Sequence, residues 1–452
     1  MRVFVGGIVT PVSMENTRFI ERGVLCLCRE LITVLEDLDE VVHQTSQRVP
    51  DDIARHTDPL TAAKVAGVLA AAGIAACECE YDILPQNAFL CPGFVDTHTH
   101  ACQVPNIGIG MEFTLLDWLS NVTFPLEEKF SDVSFAEEIY RSVVQSYLRA
   151  GTTTACMYAT LHLDATKKLI DVCHSAGIRA FVGRCQMDRN SPDTYRENDA
   201  TTSCRDTREL ISYAARYGPN SIVHPILTPR FALCCTPDML TGIAQIAHET
   251  PNLRIQTHLS ENAGEIASTM QLFPEASSYT DVYDRFGLAT DRTIFAHAIH
   301  LSEAEIDMLV SRKCGVSHCP TSNLCLRSGF FHLEHMLDRG VVLGLGTDVS
   351  AGYSVSMQQA VRDAVTVSKV ISMQRAQEPR ITLNTIFYLA TLGGAQVCGL
   401  HHRVGSLEAG KEFDALRVET SKSGSLDSRF WCWLMCGDDR DIKATYVRGV
   451  KV

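Results

Sequence analysis

The chain has 452 residues, 46% of them hydrophobic and 21% charged, with a formal net charge of −13. That length and apolar content allow one large core with something smaller beside it and exclude a disordered scaffold. The acidic balance argues against nucleic acid and anionic membrane surfaces as partners, and no apolar run reaches the roughly 18 residues of a membrane span.

The first residues, MRVFVGGIV, read as a strand rather than a signal peptide, because no small-residue cleavage site follows the short apolar run. Residues 24–34 read as further strand, and the acidic stretch 36–59 as surface. Residues 62–76, Ala-rich and containing Lys64, predict a buried helix with Thr61 as its N-cap. Residues 1–88 are thus expected to form a separate piece without identifiable chemistry. The 18 cysteines are spread through apolar segments, as at Cys156 and Cys185, and none forms a C-x-x-C pair. This usage fits reduced core thiols in a cytoplasmic protein. It also removes zinc ribbons, dithiol redox motifs and the deaminase pattern built on H-x-E and P-C-x-x-C.

The stretch 89–103, FLCPGFVDTHTHACQ, organises the remainder. An apolar run after a Pro-Gly break predicts a buried parallel strand, with polar residues gathered at its C-terminal end. His98 and His100 stand two apart, so on a strand both imidazoles project from one face, beside one metal ion. From there apolar strands alternate with amphipathic helices: residues 94–97, 152–159, 179–185, 221–228, 253–257, 293–296, 315–317 and 341–346 are the candidate strands. Eight such units predict a (β/α)₈ barrel of the TIM type. The reactive residues Gln103, Arg230, His258, Glu261, His297, His318 and Asp348 each follow one of these strands, at the rim where barrel active sites form.

A third imidazole from His258 and the carboxylate of Asp348 would complete a set of ligands with His98 and His100, suited to one catalytic Zn²⁺ with a position left for water. The ligand types admit Fe²⁺ as well. Such an ion lowers the pKa of its water to about 7, and protons must then be moved. Glu261 is the candidate shuttle, His297 orients the attacking oxygen or stabilises the tetrahedral centre, and Asp348 shares the proton traffic. His318 reads equally as a structural residue or a substrate contact. His300 is expected to face away from the site, and His332 and His335 to lie on solvent-facing helix.

The segments PGFVDTHTHACQ, TLLDWLSNVTFP, AGTTTACMYATLH, TPRFALCC, THLSEN, VYDRFGL, FAHAIHLS, SHCPTSNLCLRSG, LGLGTDVSAGYS, LATLGGAQVCGL and AGKEFDAL resemble the amidohydrolase superfamily, and within it the guanine deaminases. The resemblance implies a mononuclear zinc enzyme, a homodimer, that hydrolyses guanine to xanthine and ammonia. It implies zinc ligands at His98, His100, His258 and Asp348, and guanine-binding or catalytic positions at Gln103, Arg230, Phe231, His258, Glu261 and His297. It further implies a small β-sandwich built from both chain ends, so that residues 1–88 and 405–452 flank a barrel of 89–404. Residues 405–418 and 444–450 read as its returning strands. Cys102 stands where related sequences commonly carry Ser, and the leader and residues 421–441 diverge from the pattern.

Arg230 would donate to the O6 carbonyl of guanine, Gln103 would read ring nitrogens, and Phe231 would pack on the purine face. A binuclear site is disfavoured because Ile226-Leu227-Thr228-Pro229-Arg230 offers no lysine at the end of strand four. Zinc deaminases of other heterocycles, such as cytosine, adenosine derivatives or triazines, are the alternative enzyme reading, and a metal-free barrel acting as a structural protein is the non-enzymatic one.

Overall fold

The computed structural model describes residues 1–42, 49–376 and 380–452. Eight parallel strands form the larger sheet: Phe94–His100, Thr152–Tyr158, Arg179–Gly183, Val223–Pro229, Arg254–Leu259, Thr293–His297, Gly315–His318 and Val342–Leu345, each beside the next in chain order. The six inner strands pair by backbone ladder on both sides; the first and last, each laddered on one side, meet differently. The Thr97 hydroxyl donates to the Leu345 carbonyl at 2.8 Å, and the Asp348 amide to the His98 carbonyl at 2.9 Å. Asp96 adds a clasp, its carboxylate accepting from the Thr347 amide at 3.0 Å and the Thr347 hydroxyl at 2.5 Å. These contacts bring the barrel round to near closure and set the end of strand eight against the His-Thr-His segment of strand one.

The helices return the chain outside the barrel, and their ends carry the expected chemistry. Asp132 caps Val133–Arg149, and Asn262 and Ser302 close capping boxes on Ala263–Leu272 and Glu303–Arg312. Gly177, at φ 76°, ends Leu163–Ala176 in the left-handed conformation that costs glycine least.

Both chain ends combine in a second, mixed sheet. Arg2–Pro11, Thr17–Cys28 and Leu31–Asp37 form a meander, and Ala88–Pro92, Ala415–Glu419, Ile442–Val447 and Val450–Lys451 extend it on the other side. Glu80–Ile83 also pairs with the first strand. Residues 24–34, read from the sequence as one strand, are two strands joined by a turn in which Arg29 takes φ 55°. Ala88–Pro92 pairs antiparallel with Ala415–Glu419, so residues 89–92 belong to this sheet, and the chain passes to the barrel at Gly93. A Cβ there would lie 2.2 Å from the Thr153 side chain, which explains glycine at the crossing.

The N-terminal helix and its cap are corrected, and two stretches gain detail. The helix read at 62–76 spans Pro59–Ala71, and its N-cap is Asp58, which accepts from the Thr61 amide at 3.0 Å; Pro59 occupies the first turn, where no backbone donor is needed. Within the presumed surface stretch 36–59, Asp51–His56 is helical, while 43–48 lie outside the described residues. Residues 421–441 contain the helix Leu426–Cys436, which buries Leu426, Phe430, Trp433 and Leu434. Trp433 stacks on Phe94 with ring centres 6.0 Å apart, fastening the C-terminal segment to the foot of strand one. A buried Arg179, bonded to Glu412 at 2.7 Å and Asp414 at 3.0 Å, makes a second fastening at the foot of strand three.

Candidate metal and substrate site

At the C-terminal rim, one ligand atom from each of His98, His100, His258 and Asp348 lies within 4.8 Å of all the others, and all four residues are buried. The His98 and His100 Nε2 atoms are 3.1 and 3.4 Å from Asp348 Oδ1, and the His100 and His258 Nε2 atoms are 3.2 Å apart. His258 Nδ1 donates to the Arg230 carbonyl at 2.5 Å, which fixes the tautomer and leaves Nε2 as a lone pair facing its neighbours. Burial, and then the surrounding cationic forms, hold His258 well below the ordinary histidine range. Burial does the same to His100 and outweighs the Asp348 charge. Burial opposes ionisation of Asp348, but the close approach of His98 and the other imidazoles around it more than offset this and hold the carboxyl well below its usual range. His98 Nε2 is buried without a hydrogen-bond partner. Three imidazoles, one carboxylate and a buried ring nitrogen without a hydrogen-bond partner are the donor set that a divalent ion such as zinc takes.

Glu261 and His297 stand beside this group. His297 Nε2 is 3.4 Å from Glu261 Oε2 and 3.6 Å from Asp348 Oδ2, while its Nδ1 is held by Asn323 Oδ1 at 2.9 Å. Burial and the neighbouring Asp348 charge push the Glu261 carboxyl well above its ordinary value. Ser260, His297 and Asp348 take φ values of 48°, 70° and 45°. Such backbone carries a cost of about 1–3 kcal/mol per residue and clusters at functional sites.

Above the group is a pocket lined by His100, Gln103, Arg230, Phe231, Glu261 and Asp348 among others. Its apolar wall comes from Leu115, Trp118 and Leu119, on the helical segment after strand one. Gln103 sits in a 3₁₀ turn directly after strand one, its Oε1 accepting from the Ser350 amide at 3.2 Å. The Arg230 guanidinium is bonded bidentately to Glu127, at 2.7 and 3.1 Å, and Gln103 Nε2 also donates to Glu127, at 2.8 Å. Sequence reasoning missed Glu127. It also missed Tyr158, whose ring stacks on His100 at 4.6 Å and whose hydroxyl donates to the Gln256 carbonyl.

His318 does not line the cavity: it is buried against Phe331 with ring centres 4.5 Å apart, and burial lowers it to about 3. His300 turns away to the Ser328 carbonyl at 2.7 Å. His335 is on the helix Leu333–Asp338, paired with Glu303 at 2.8 Å, and His332 precedes that helix, half-buried.

Residues 89–452 match the model of the amidohydrolase family. The chain belongs to this family. As an amidohydrolase it is 44% identical over 374 residues to a probable guanine deaminase of Schizosaccharomyces pombe, covering 80% of this chain and 71% of that one. It is 41% identical over 389 residues to guanine deaminase of Homo sapiens, covering 83% of this chain and 85% of the human one. Among solved structures, guanine deaminase from C. acetobutylicum with guanine bound in its active site superposes with a TM-score of 0.87 at 31% identity, over 100% of this chain and 99% of that one. The barrel with its end-built sheet is therefore this amidohydrolase's architecture as well as the expectation from its sequence. No helix among the described residues is long and apolar enough to cross a membrane.

Proposed function

We propose that this amidohydrolase hydrolyses guanine to xanthine and ammonia, using one zinc ion held by His98, His100, His258 and Asp348. The observation that carries this is the meeting, at one pocket, of His98, His100, His258 and Asp348, a group that could hold a metal ion, with the side chains of Glu261, Arg230 and Gln103. Relatives named guanine deaminase at 41–44% identity over most of the chain support the substrate. The ion, when bound, supplies a water of lowered pKa and a Lewis acid at the reacting carbon.

The chain's own residues do the rest. Glu261, whose carboxyl burial and Asp348 push upward, takes the water's first proton and gives it to the ring nitrogen beside C2, where xanthine keeps it; the second proton, from the oxygen now on C2, goes to the departing amine, which leaves as ammonia while the C2 carbonyl forms. His297, steadied by Asn323, orients the attacking oxygen, and Asp348 shares in the proton movement. Arg230 donates to O6 and Gln103 to the ring edge, which turns C2 toward the metal, while Phe231 covers the purine face. Leu115, Trp118 and Leu119 give the pocket an apolar wall beside the carbon under attack.

A panel of purines and pyrimidines assayed for ammonia release tests the reading. Guanine should be strongly preferred over adenine and cytosine; comparable kcat/KM for adenine and guanine overturns it and favours a deaminase of another heterocycle. The family resemblance and the eighteen free thiols support a cytoplasmic homodimer, which light scattering and cell fractionation test.

A further inference from the structure

Glu127 is 1% exposed and accepts from four donors on three other segments. Arg230, after strand four, gives it two N–H groups. Gln103, after strand one, gives its amide at 2.8 Å, and Tyr195, in the connection after strand three, its hydroxyl at 2.7 Å. Glu127 itself closes the short helix Phe124–Glu127, which continues from the segment carrying Leu115, Trp118 and Leu119. One carboxylate therefore ties the apolar wall of the cavity to both of its amide-reading side chains.

The donor arithmetic gives this a consequence for selectivity. A guanidinium has five N–H donors. Glu127 takes two, and a third points at Cys185 Sγ, 3.8 Å away, so among the described residues two are left for a ligand. The charge those two present is already balanced by the carboxylate, so they suit a neutral acceptor such as a lactam carbonyl. An unbalanced buried guanidinium would instead draw an anion.

We propose that Glu127 is a positioning residue that sets substrate selectivity, holding Arg230 and Gln103 in register and making the pocket specific for a neutral lactam rather than an anionic heterocycle. This rests on the guanine reading above. The test is Glu127→Gln, which keeps the shape and one acceptor oxygen but removes the charge. KM for guanine should rise by about tenfold to a hundredfold, the scale of a misplaced positioning group, with kcat affected less.

The distinguishing readout is inhibition by two purines that are not turned over. The inhibition constant of hypoxanthine, a neutral lactam, should rise in Glu127→Gln, while that of urate, an anion at neutral pH, should fall, moving their ratio by about tenfold or more. A Gln103→Ala substitution should cost less in the Glu127→Gln background than in the wild type, because the two act through one contact. An unchanged hypoxanthine-to-urate ratio, or strictly additive effects, overturns the proposal. Should Glu127→Gln not fold, Tyr195→Phe leaves the ion pair intact and removes one donor: a severalfold rise in guanine KM supports the clamp and a wild-type KM overturns it. A wild type inactive on guanine refutes the substrate reading instead, and direct binding of hypoxanthine and urate to wild type and variant still decides the clamp.

Discussion

Replacing Arg230 by Met separates binding, selectivity and stability in one variant. It deletes two hydrogen bonds of 2.7 and 3.1 Å from a pair whose members are 3% and 1% exposed. Breaking a buried pair from one side costs about 3–5 kcal/mol. Glu127 retains the Gln103 amide and the Tyr195 hydroxyl, so the lower end, about 3 kcal/mol, is expected from urea unfolding. Metal content should not change, because His258 is held by the Arg230 backbone carbonyl and not by its side chain. Adenine carries an amine donor where guanine has O6, and a site built for the carbonyl rejects the mismatch by about 10⁴, or about 5 kcal/mol of discrimination. Adenine in that pose carries hydrogen and no leaving group at C2, so the contact is read from competitive inhibition: the ratio of the adenine to the hypoxanthine inhibition constant should fall by about 10³ or more in Arg230→Met. A variant that keeps its metal and holds that ratio within about tenfold of the wild type refutes Arg230 as the O6 donor.

His258→Ala should abolish most bound metal and activity together, measured by elemental analysis against a wild-type content of about one zinc per chain; two ions per chain would refute the mononuclear mechanism. Glu261→Gln should keep metal and guanine binding while lowering kcat by about 10² to 10⁴, and near-normal turnover would send the proton through Asp348 instead. Glu265, which accepts from the Glu261 and Asn262 amides, is pushed up from 4.5 to about 7 by burial and then by the Glu261 charge. Between those values the folded protein holds a proton that the unfolded chain has released, so stability should fall as pH rises through the window, by up to about 3 kcal/mol. Glu265→Gln should flatten that slope in urea midpoints measured across the window, and an unchanged slope assigns it to another group.

The elements nearest the chemistry were the most legible. The barrel strands are short apolar runs closed by Gly, Pro or a polar residue, and a parallel sheet covered on both faces imposes that pattern on every strand alike. Polar residues at the ends of such runs are hard to account for as core, which is why His98, His100, His258, His297 and Asp348 stood out, and the structure gathers them at one rim. The helix Leu426–Cys436 is legible too: Leu426, Phe430, Trp433 and Leu434 follow the helical repeat. The Asp58 cap was available in Asp58-Pro59, since proline favours the first helical turn.

What the sequence by itself determined is the order of strands, the residue types at their ends and so the class of chemistry. Those depend on local periodicity and on the cost of burying polar groups, both of which are written along the chain. Only the tertiary structure decided which side chain completes the pocket. Glu127 lies 103 positions from Arg230, 24 from Gln103 and 68 from Tyr195, on a helix with no motif that marks it, and a carboxylate there reads equally as a solvated surface group. Its place is decided when closure of the barrel removes water from around it, because a buried carboxylate must find donors, and those it finds are Gln103, Arg230 and Tyr195, two of which line the pocket.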